Sequence, residues 1–448
     1  MSDNPLHASS KRDGIERALA RIHDPNGEGA RTFTRVYAKA ALVSADTADR
    51  MEALGVSCPA LAGMPISVKD LFDVKGEPTT AGSRILANAP PAEADAVIVS
   101  RLRRAGAAII GKTTMTEFAF SGLGLNPHYG TPACVWGRST GRIPGGSSSG
   151  AAISVTDGMA VAAIGTDTGG SCRIPAALNG IVGLKPSAQT VSLIGALPLS
   201  PSYDSIGPLA NDVETCARVY AVLSDTTIAL TPKPADRLTL GVIRNYVLER
   251  MDPIVGAAYE RSLRKLAACG VRLCDCELPV LEALPELFIH GGLVAAEAYQ
   301  WHRALLEEHG DTYDPRVAVR IRRGSLLSAA DYITILKRRQ ALVGEWRAQI
   351  APFDGVLMPT VPIVAPPLDA LTDDETYADV NLLVLRNPTL VNVLDGCAIS
   401  LPCHETGEAP VGITLAAANG CDRALLDVAM TLERLLAPSS PRRPLPTD

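Results

Sequence analysis

Two serine clusters bounded by glycines lie within 145–177, GGSSSGAAISVTDGMAVAAIGTDTGGSCRIPAA. In the first, Ser147, Ser148 and Ser149 follow Gly145 and Gly146 and open a run of small residues suited to a helix, where serine caps and glycine turns. The second closes an apolar strand at 160–164. There Thr168, Gly169, Gly170 and Ser171 predict a tight turn whose backbone N–H groups converge on one anionic atom. A serine on such a turn suits acyl transfer, in which a hydroxyl attacks a carbonyl carbon and the N–H groups receive the oxyanion.

This stretch resembles the glycine- and serine-rich blocks of the amidase signature family, GGSS(S/G)G and GTDTGGSxRxPA. The likeness extends to GMPISVKDLFDVKG at 63–76, GLKPS at 183–187 and DSIGPLA at 204–210, in the family's order. Weaker similarity runs from about residue 30 through YDPRVAVRIRRGSLLSAADY and AISLPCHETGEAPVGITLAA to about residue 436. The resemblance implies Ser171 as the nucleophile, Ser147 as a bridging serine after a cis peptide bond at Gly146, and Lys69 as the base. It also implies an α/β fold, a single large domain with a mixed β-sheet of about eleven strands surrounded by helices.

The chemistry agrees with that assignment. A hydroxyl attacks poorly until a neighbouring base takes its proton, and lysine can serve only when neutral. Bringing an ordinary lysine near neutrality costs about 4 kcal/mol, supplied by burial and donated hydrogen bonds. The apolar flank MPISV before Lys69 provides the burial. A proton would pass from Ser171 through Ser147 to Lys69, and the oxyanion would meet the N–H groups of Thr168, Gly169, Gly170 and Ser171. Gly146, Ser148, Asp167 and Arg173 read as scaffold, the last two pairing across the turn. Phe120, Ser121 and Gly122 mark a candidate substrate pocket.

Each piece alone has a plainer reading: a lysine in VKD is usually a surface charge, and a serine triplet a loop or helix cap. The ordered blocks reverse that. GSSSG at 146–150 also fits a nucleophile elbow with Ser148 attacking, but an elbow needs an apolar strand before it, and TGRIP precedes this one. A phosphate loop at 165–170 fails because Ser171 stands where lysine is required.

Composition bounds the partners. The chain has 448 residues, 47% hydrophobic and 20% charged, with net charge −6, which argues against disorder and against a general pull toward nucleic acid or anionic membrane. The polar N-terminus lacks a secretory core and no run approaches membrane-spanning length, so a cytoplasmic protein is expected. The ten cysteines are spread mostly singly, predicting free thiols, and seven dispersed histidines without HExxH or CxxC give no support to a metal site. The basic runs 320–323 and 337–339 read as solvated helix faces.

One domain over 1–436 is expected, with N-terminal helices at about 14–54, a signature core at about 63–210 and a variable helical roof at about 279–350. A loose Pro-rich tail follows at 437–448. Strands are predicted at 64–68, 107–111, 160–164, 238–243, 271–278, 355–362, 398–402 and 410–416, and helices at 93–105, 211–223, 253–268 and 422–436.

The resulting expectation is an amidase acting without a cofactor on a small-molecule amide through an acyl–Ser171 intermediate, with a homodimer allowed by the resemblance. Another reading is the glutaminase subunit of a tRNA-dependent amidotransferase. Such subunits commonly read GGSIRQPA, whereas Ile174 stands at the glutamine position here, and their MGSS-like segment is replaced by Phe120, Ser121, Gly122 and Leu123. A non-catalytic scaffold is the third reading, opposed by the intact Lys69, Ser147 and Ser171.

Overall fold

Short apolar runs punctuated by glycine and proline become strands in the computed structural model, which describes residues 10–438. The strands are β1 Phe33–Val36, β2 Pro65–Lys69, β3 Ala108–Thr113, β4 Ala162–Thr166, β5 Val182–Lys185 and β6 Ile206–Ala210, then β7 Thr239–Ile243, β8 Arg272–Cys276, β9 Val356–Pro359, β10 Gly396–Pro402 and β11 Gly412–Ala418. They form one mixed 11-stranded sheet in the order β1-β3-β2-β4-β6-β5-β10-β11-β9-β7-β8. Helices surround it, giving the single α/β domain expected.

The part that positions the site is the parallel set β3, β2 and β4. Parallel strands covered on both faces read as continuous apolar runs, and Ile66 to Lys69 are all buried. Lys69 is therefore held at a rigid strand end inside the protein. Beside it, β4 pairs antiparallel with β6, Thr166 opposite Ile206. Beyond that pair, the Asp167 N–H donates to the Ser205 carbonyl at 2.7 Å and the Ser205 N–H to the Asp167 carbonyl at 3.2 Å. Gly165 in β4 leaves room for the start of the helix Ser149–Thr156: a Cβ there would lie 2.7 Å from Ser148 Oγ.

The helices Pro253–Ala268 and Asp422–Leu436 have the predicted bounds. Other elements differ from expectation. The 14–54 region holds helices at Lys11–Ile22 and Ala38–Ala53 but also β1, where FTRV, with aromatic Phe33 and β-branched Thr34 and Val36, pairs antiparallel with β3. The helix Asp374–Val393 has no counterpart in the expected elements, because Pro388 and several polar residues interrupt its pattern. The tail from 439 onward lies outside the described residues.

The reading that no run approaches membrane-spanning length needs one correction. Residues 279–312 are long and apolar enough by composition. The stretch is broken, however, by positive φ at His290, Gly291 and Gly292, and Leu281, Leu284, Leu287 and Leu293 pack with Trp346 and Val391 in a core cluster.

Candidate active site

Two strand ends converge on one buried point. From β2, the Lys69 amine donates to Ser147 Oγ at 2.7 Å and to Thr166 Oγ1, at the end of β4, at 2.8 Å. Lys69 and Ser147 are wholly buried. The Gly146–Ser147 peptide is cis, and the Ser147 carbonyl accepts from the Thr116 N–H at 3.1 Å. Burial lowers the Lys69 pKa to about 7, opposed by the acidic groups around it, Asp204 and Asp167 among them. An amine near 7 is largely neutral in mildly alkaline water and has a lone pair to offer.

Ser171 approaches through its backbone: its carbonyl accepts from the Ser148 N–H at 3.4 Å. The structure thus makes the Lys69–Ser147 half of the expected proton path a direct hydrogen bond, and joins Ser171 to the same segment by main chain.

The turn before Ser171 is built around the Asp167 carboxylate. Its Oδ1 accepts from the Gly170 N–H at 2.8 Å and its Oδ2 from the Cys172 N–H at 3.1 Å. Arg173 closes a two-pronged ion pair, Nε to Oδ2 at 3.0 Å and Nη2 to Oδ1 at 2.9 Å. Burial alone would raise the Asp167 pKa, but the Arg173 guanidinium holds it well below the usual carboxylate range. The scaffold pairing of Asp167 with Arg173 is therefore present.

Two details depart from the sequence reading. The Gly170 N–H is engaged by Asp167, so of the four N–H groups assigned to an oxyanion only those of Thr168, Gly169 and Ser171 are left to serve. Gly170 has φ +119°, and a Cβ there would stand 2.4 Å from Pro388 Cβ, so only glycine fits. Ser148 occupies the helix N-cap position without capping: its hydroxyl is buried and donates to the Thr166 carbonyl at 3.4 Å.

The pocket segment is adjacent. The Gly146 N–H donates to the Gly122 carbonyl at 2.8 Å. Ser121 Oγ and the Gly122 N–H both donate to Asn381 Oδ1, at 2.8 and 2.9 Å, and the Tyr377 hydroxyl donates to Ser121 Oγ at 2.9 Å. Arg320 donates to the Phe120 carbonyl at 2.8 Å and lies over the Tyr377 ring, 5.2 Å from its centroid. Among the described residues no carboxylate lies within ion-pair distance of Arg320. This corrects its assignment to a solvated face: Val317 and Ile321 of the same helix are buried, and one turn after Arg316 the chain faces inward.

Thr166, Asn381, Asn392 and Arg320 escaped the sequence reading. Asn392 donates to the Asp167 carbonyl at 2.9 Å and to its Oδ1 at 3.0 Å, and accepts from Arg173 Nη2 at 2.6 Å. Asn381 and Asn392 stand eleven residues apart, three helical turns, on one face of Asp374–Val393. That spacing was the available signal.

Comparison with known proteins shows the family. The family described as Amidase matches residues 15–426. The chain belongs to the amidase family. It is 36% identical over 428 residues to the 2-amino-5-chloromuconic acid deaminase of Comamonas testosteroni, covering 92% of this chain and 89% of that protein. It is 34% identical over 412 residues to one of the subunits of the glutamyl-tRNA(Gln) amidotransferase of Symbiobacterium thermophilum, covering 84% of this chain and 83% of that protein. A solved amidase crystal structure superimposes with a TM-score of 0.85 at 34% identity, covering 95% of this chain and 96% of that one. The activity is accordingly that of a hydrolase of amide C–N bonds.

The Asp167–Arg173 pair yields a stability prediction. Replacing Arg173 by Met leaves a buried carboxylate without its counter-charge, and should cost about 3–5 kcal/mol of unfolding free energy in urea titration. A loss under about 1 kcal/mol would mean that the pair does not hold the turn.

Proposed function

We propose that this amidase works through an acyl–Ser171 intermediate, with Ser147 relaying the proton to Lys69. The observation that carries the reading is the Lys69 amine, buried and titrating near neutrality, at 2.7 Å from Ser147 Oγ. As Ser171 Oγ bonds to the amide carbonyl carbon, its proton passes to Ser147 while the Ser147 proton passes to the Lys69 lone pair. The oxyanion is received by the N–H groups of Thr168, Gly169 and Ser171, an arrangement worth about 3–4 kcal/mol per donor in other enzymes. Collapse breaks the C–N bond, and the leaving nitrogen takes the proton back along the same path. Water then attacks the acyl ester, passing a proton to Lys69; collapse breaks the bond between Ser171 Oγ and the acyl carbon, and that proton returns through Ser147 to Ser171 Oγ as the acid leaves.

The reading as part of an amidotransferase draws on the similarity to such proteins, but Ile174 is wholly buried and packs in an apolar cluster with Leu123 and Val384. That wall offers nothing to a polar glutamine side chain, so the enzyme is proposed to act without a second protein or tRNA. The helix Pro315–Arg322 is proposed as part of a roof over the pocket, since Asp314 and Arg320 bond to Glu117 and Phe120. No disulfide joins the cysteines among the described residues, which suits a reducing compartment such as the cytoplasm.

Arg320 bears on substrate choice. A half-buried guanidinium with one N–H on a carbonyl and no carboxylate partner favours a small amide that carries an acid group. The similarity to an enzyme named for 2-amino-5-chloromuconic acid supports the same class.

Three outcomes are expected. A fluorophosphonate probe should label the wild type once, on Ser171, by peptide mapping, and Ser171→Ala should lose activity while keeping its melting temperature; an adduct on Ser148 would refute the assignment. Acylation of a chromogenic amide by the protein purified alone should rise with pH through about 7, because only the unprotonated Lys69 amine accepts a proton. Lys69→Arg, charged at all working pH values, should lose several orders of magnitude, and an active arginine variant with an unchanged profile would place the base elsewhere. Arg320→Met should raise KM for an acid-bearing amide at least tenfold while changing KM for its uncharged analogue little; equal effects on both would remove the acid group from the proposal.

A further inference from the structure

Two carboxylates approach the Lys69 amine, and they differ in what neutralises them. Asp167, at the end of β4, is matched by the Arg173 guanidinium in a two-pronged pair. Asp204, two residues before β6, is nearly as deeply buried and has no cation within ion-pair distance among the described residues. Its Oδ2 accepts from the Leu199 and Ser200 N–H groups at 3.0 Å each, and its Oδ1 accepts from the Thr168 hydroxyl at 2.5 Å. Thr168 is the first residue of the turn that ends at Ser171. Asp204 lies two residues upstream of Ile206, the partner of Thr166, whose hydroxyl accepts from the Lys69 amine, and its charge acts on that amine.

We propose that Asp204 is a positioning residue for this reaction, which fixes the Thr168 end of the turn through its hydroxyl and supplies the unmatched negative charge that the Lys69 amine faces. The inference rests on the reading of Lys69 as the base. Around the amine stand Asp204 from the 199–205 loop, Asp167 from the end of β4 with its charge matched, and the Cys172 thiol, which burial pushes far above its ordinary range and so keeps neutral. Around Asp204 stand the Thr168 hydroxyl, the two N–H groups and, further off, Glu297.

Burial raises the Asp204 pKa to about 6, against its hydrogen bonds with Thr168, Leu199 and Ser200. The two groups therefore titrate as a pair across the acid limb of activity. Above both values Asp204 is charged and the amine neutral. As pH falls, the amine takes a proton while Asp204 still stabilises the ammonium, so loss of the carboxylate charge must lower the pH at which the amine becomes protonated.

The test measures acylation of a chromogenic amide against pH for wild type, Asp204→Asn, Asp204→Glu and Lys69→Arg, with thermal melts. Asp204→Asn should move the acid limb down by roughly one pH unit, the size expected for one charge several ångströms away in a partly shielded site. Asp204→Glu should return the limb toward its wild-type position. An asparagine profile superimposable on wild type, with Lys69→Arg inactive, overturns this inference alone; an active Lys69→Arg overturns the base assignment and this inference with it. The asparagine Nδ2 would face two N–H donors and that variant can fail to fold, so a second measurement stands apart from it. In protein labelled with ¹³Cε-lysine, the Lys69 signal should show a main inflection near 7 and a second near 6. Thr168→Val, which removes a hydrogen bond to the carboxylate, should move the second inflection up. A single inflection unaffected by Thr168→Val overturns the proposal.

Discussion

The buried pairing of Asp167 with Arg173 is the interaction on which the site depends, because it turns a strand end into a rigid cradle. Moving two charges out of water costs several kcal/mol per ion, recovered only when geometry is good and the remaining lone pairs are satisfied. Here the Asp167 carboxylate accepts from two backbone N–H groups of its own turn, from both prongs of the guanidinium and from Asn392. One anion thereby fixes the end of β4, the turn carrying Ser171, the start of the helix Arg173–Asn179 and the last turn of the helix Asp374–Val393. The same bonds occupy the Gly170 N–H and leave those of Thr168, Gly169 and Ser171 for a newly formed charge. In the proposed reaction such a turn need not reorganise when the oxyanion forms, which is where electrostatic catalysis gains most.

Lysine as a base requires a second, opposite device. An amine at the surface would be charged and inert, whereas an amine in a fully apolar pocket would have nothing to hold it in place. Lys69 is carried into the interior by a strand buried along four of its five residues and is oriented there by two hydroxyls, Ser147 and Thr166. Hydroxyls hydrogen-bond to the neutral and the protonated amine alike, so they orient it without forcing either state. The balance is left to desolvation against the nearby carboxylates.

How much of this was legible in the chain follows from where each contact lies. The serine and glycine blocks, the apolar approach to Lys69 and most of the strands are local patterns, and they lead to Lys69, Ser147, Ser171, Asp167 and Arg173 from the sequence alone. Residues that act across the fold were not legible. Thr166 is the last residue of an apolar strand and carries no signal of its own until β2 is laid beside it. Asn392 and Asn381 come from a helix that Pro388 disguises. Arg320 read as one of four consecutive basic or flanking positions, and only the burial of Val317 and Ile321 shows which of them turns inward.

That division separates chemistry from substrate choice. The groups proposed to move protons and receive the oxyanion lie within 69–204, and their mutual contacts are set by adjacent strand ends. The segment Phe120 to Gly122, by contrast, is held by Asn381, Tyr377 and Arg320, some 200 to 260 positions further along the chain. Its shape is therefore decided by helices remote in sequence, one of which, Asp374–Val393, also reaches Asp167 through Asn392. A deaminase and a component of an amidotransferase can accordingly each share about a third of their residues with this chain and still differ in what they accept. In this protein the same separation leaves Ile174 packed against Leu123 and Val384, and the Arg320 guanidinium on the Phe120 carbonyl with no carboxylate within ion-pair distance among the described residues; on the proposed reading those two features, rather than the serines, set substrate choice.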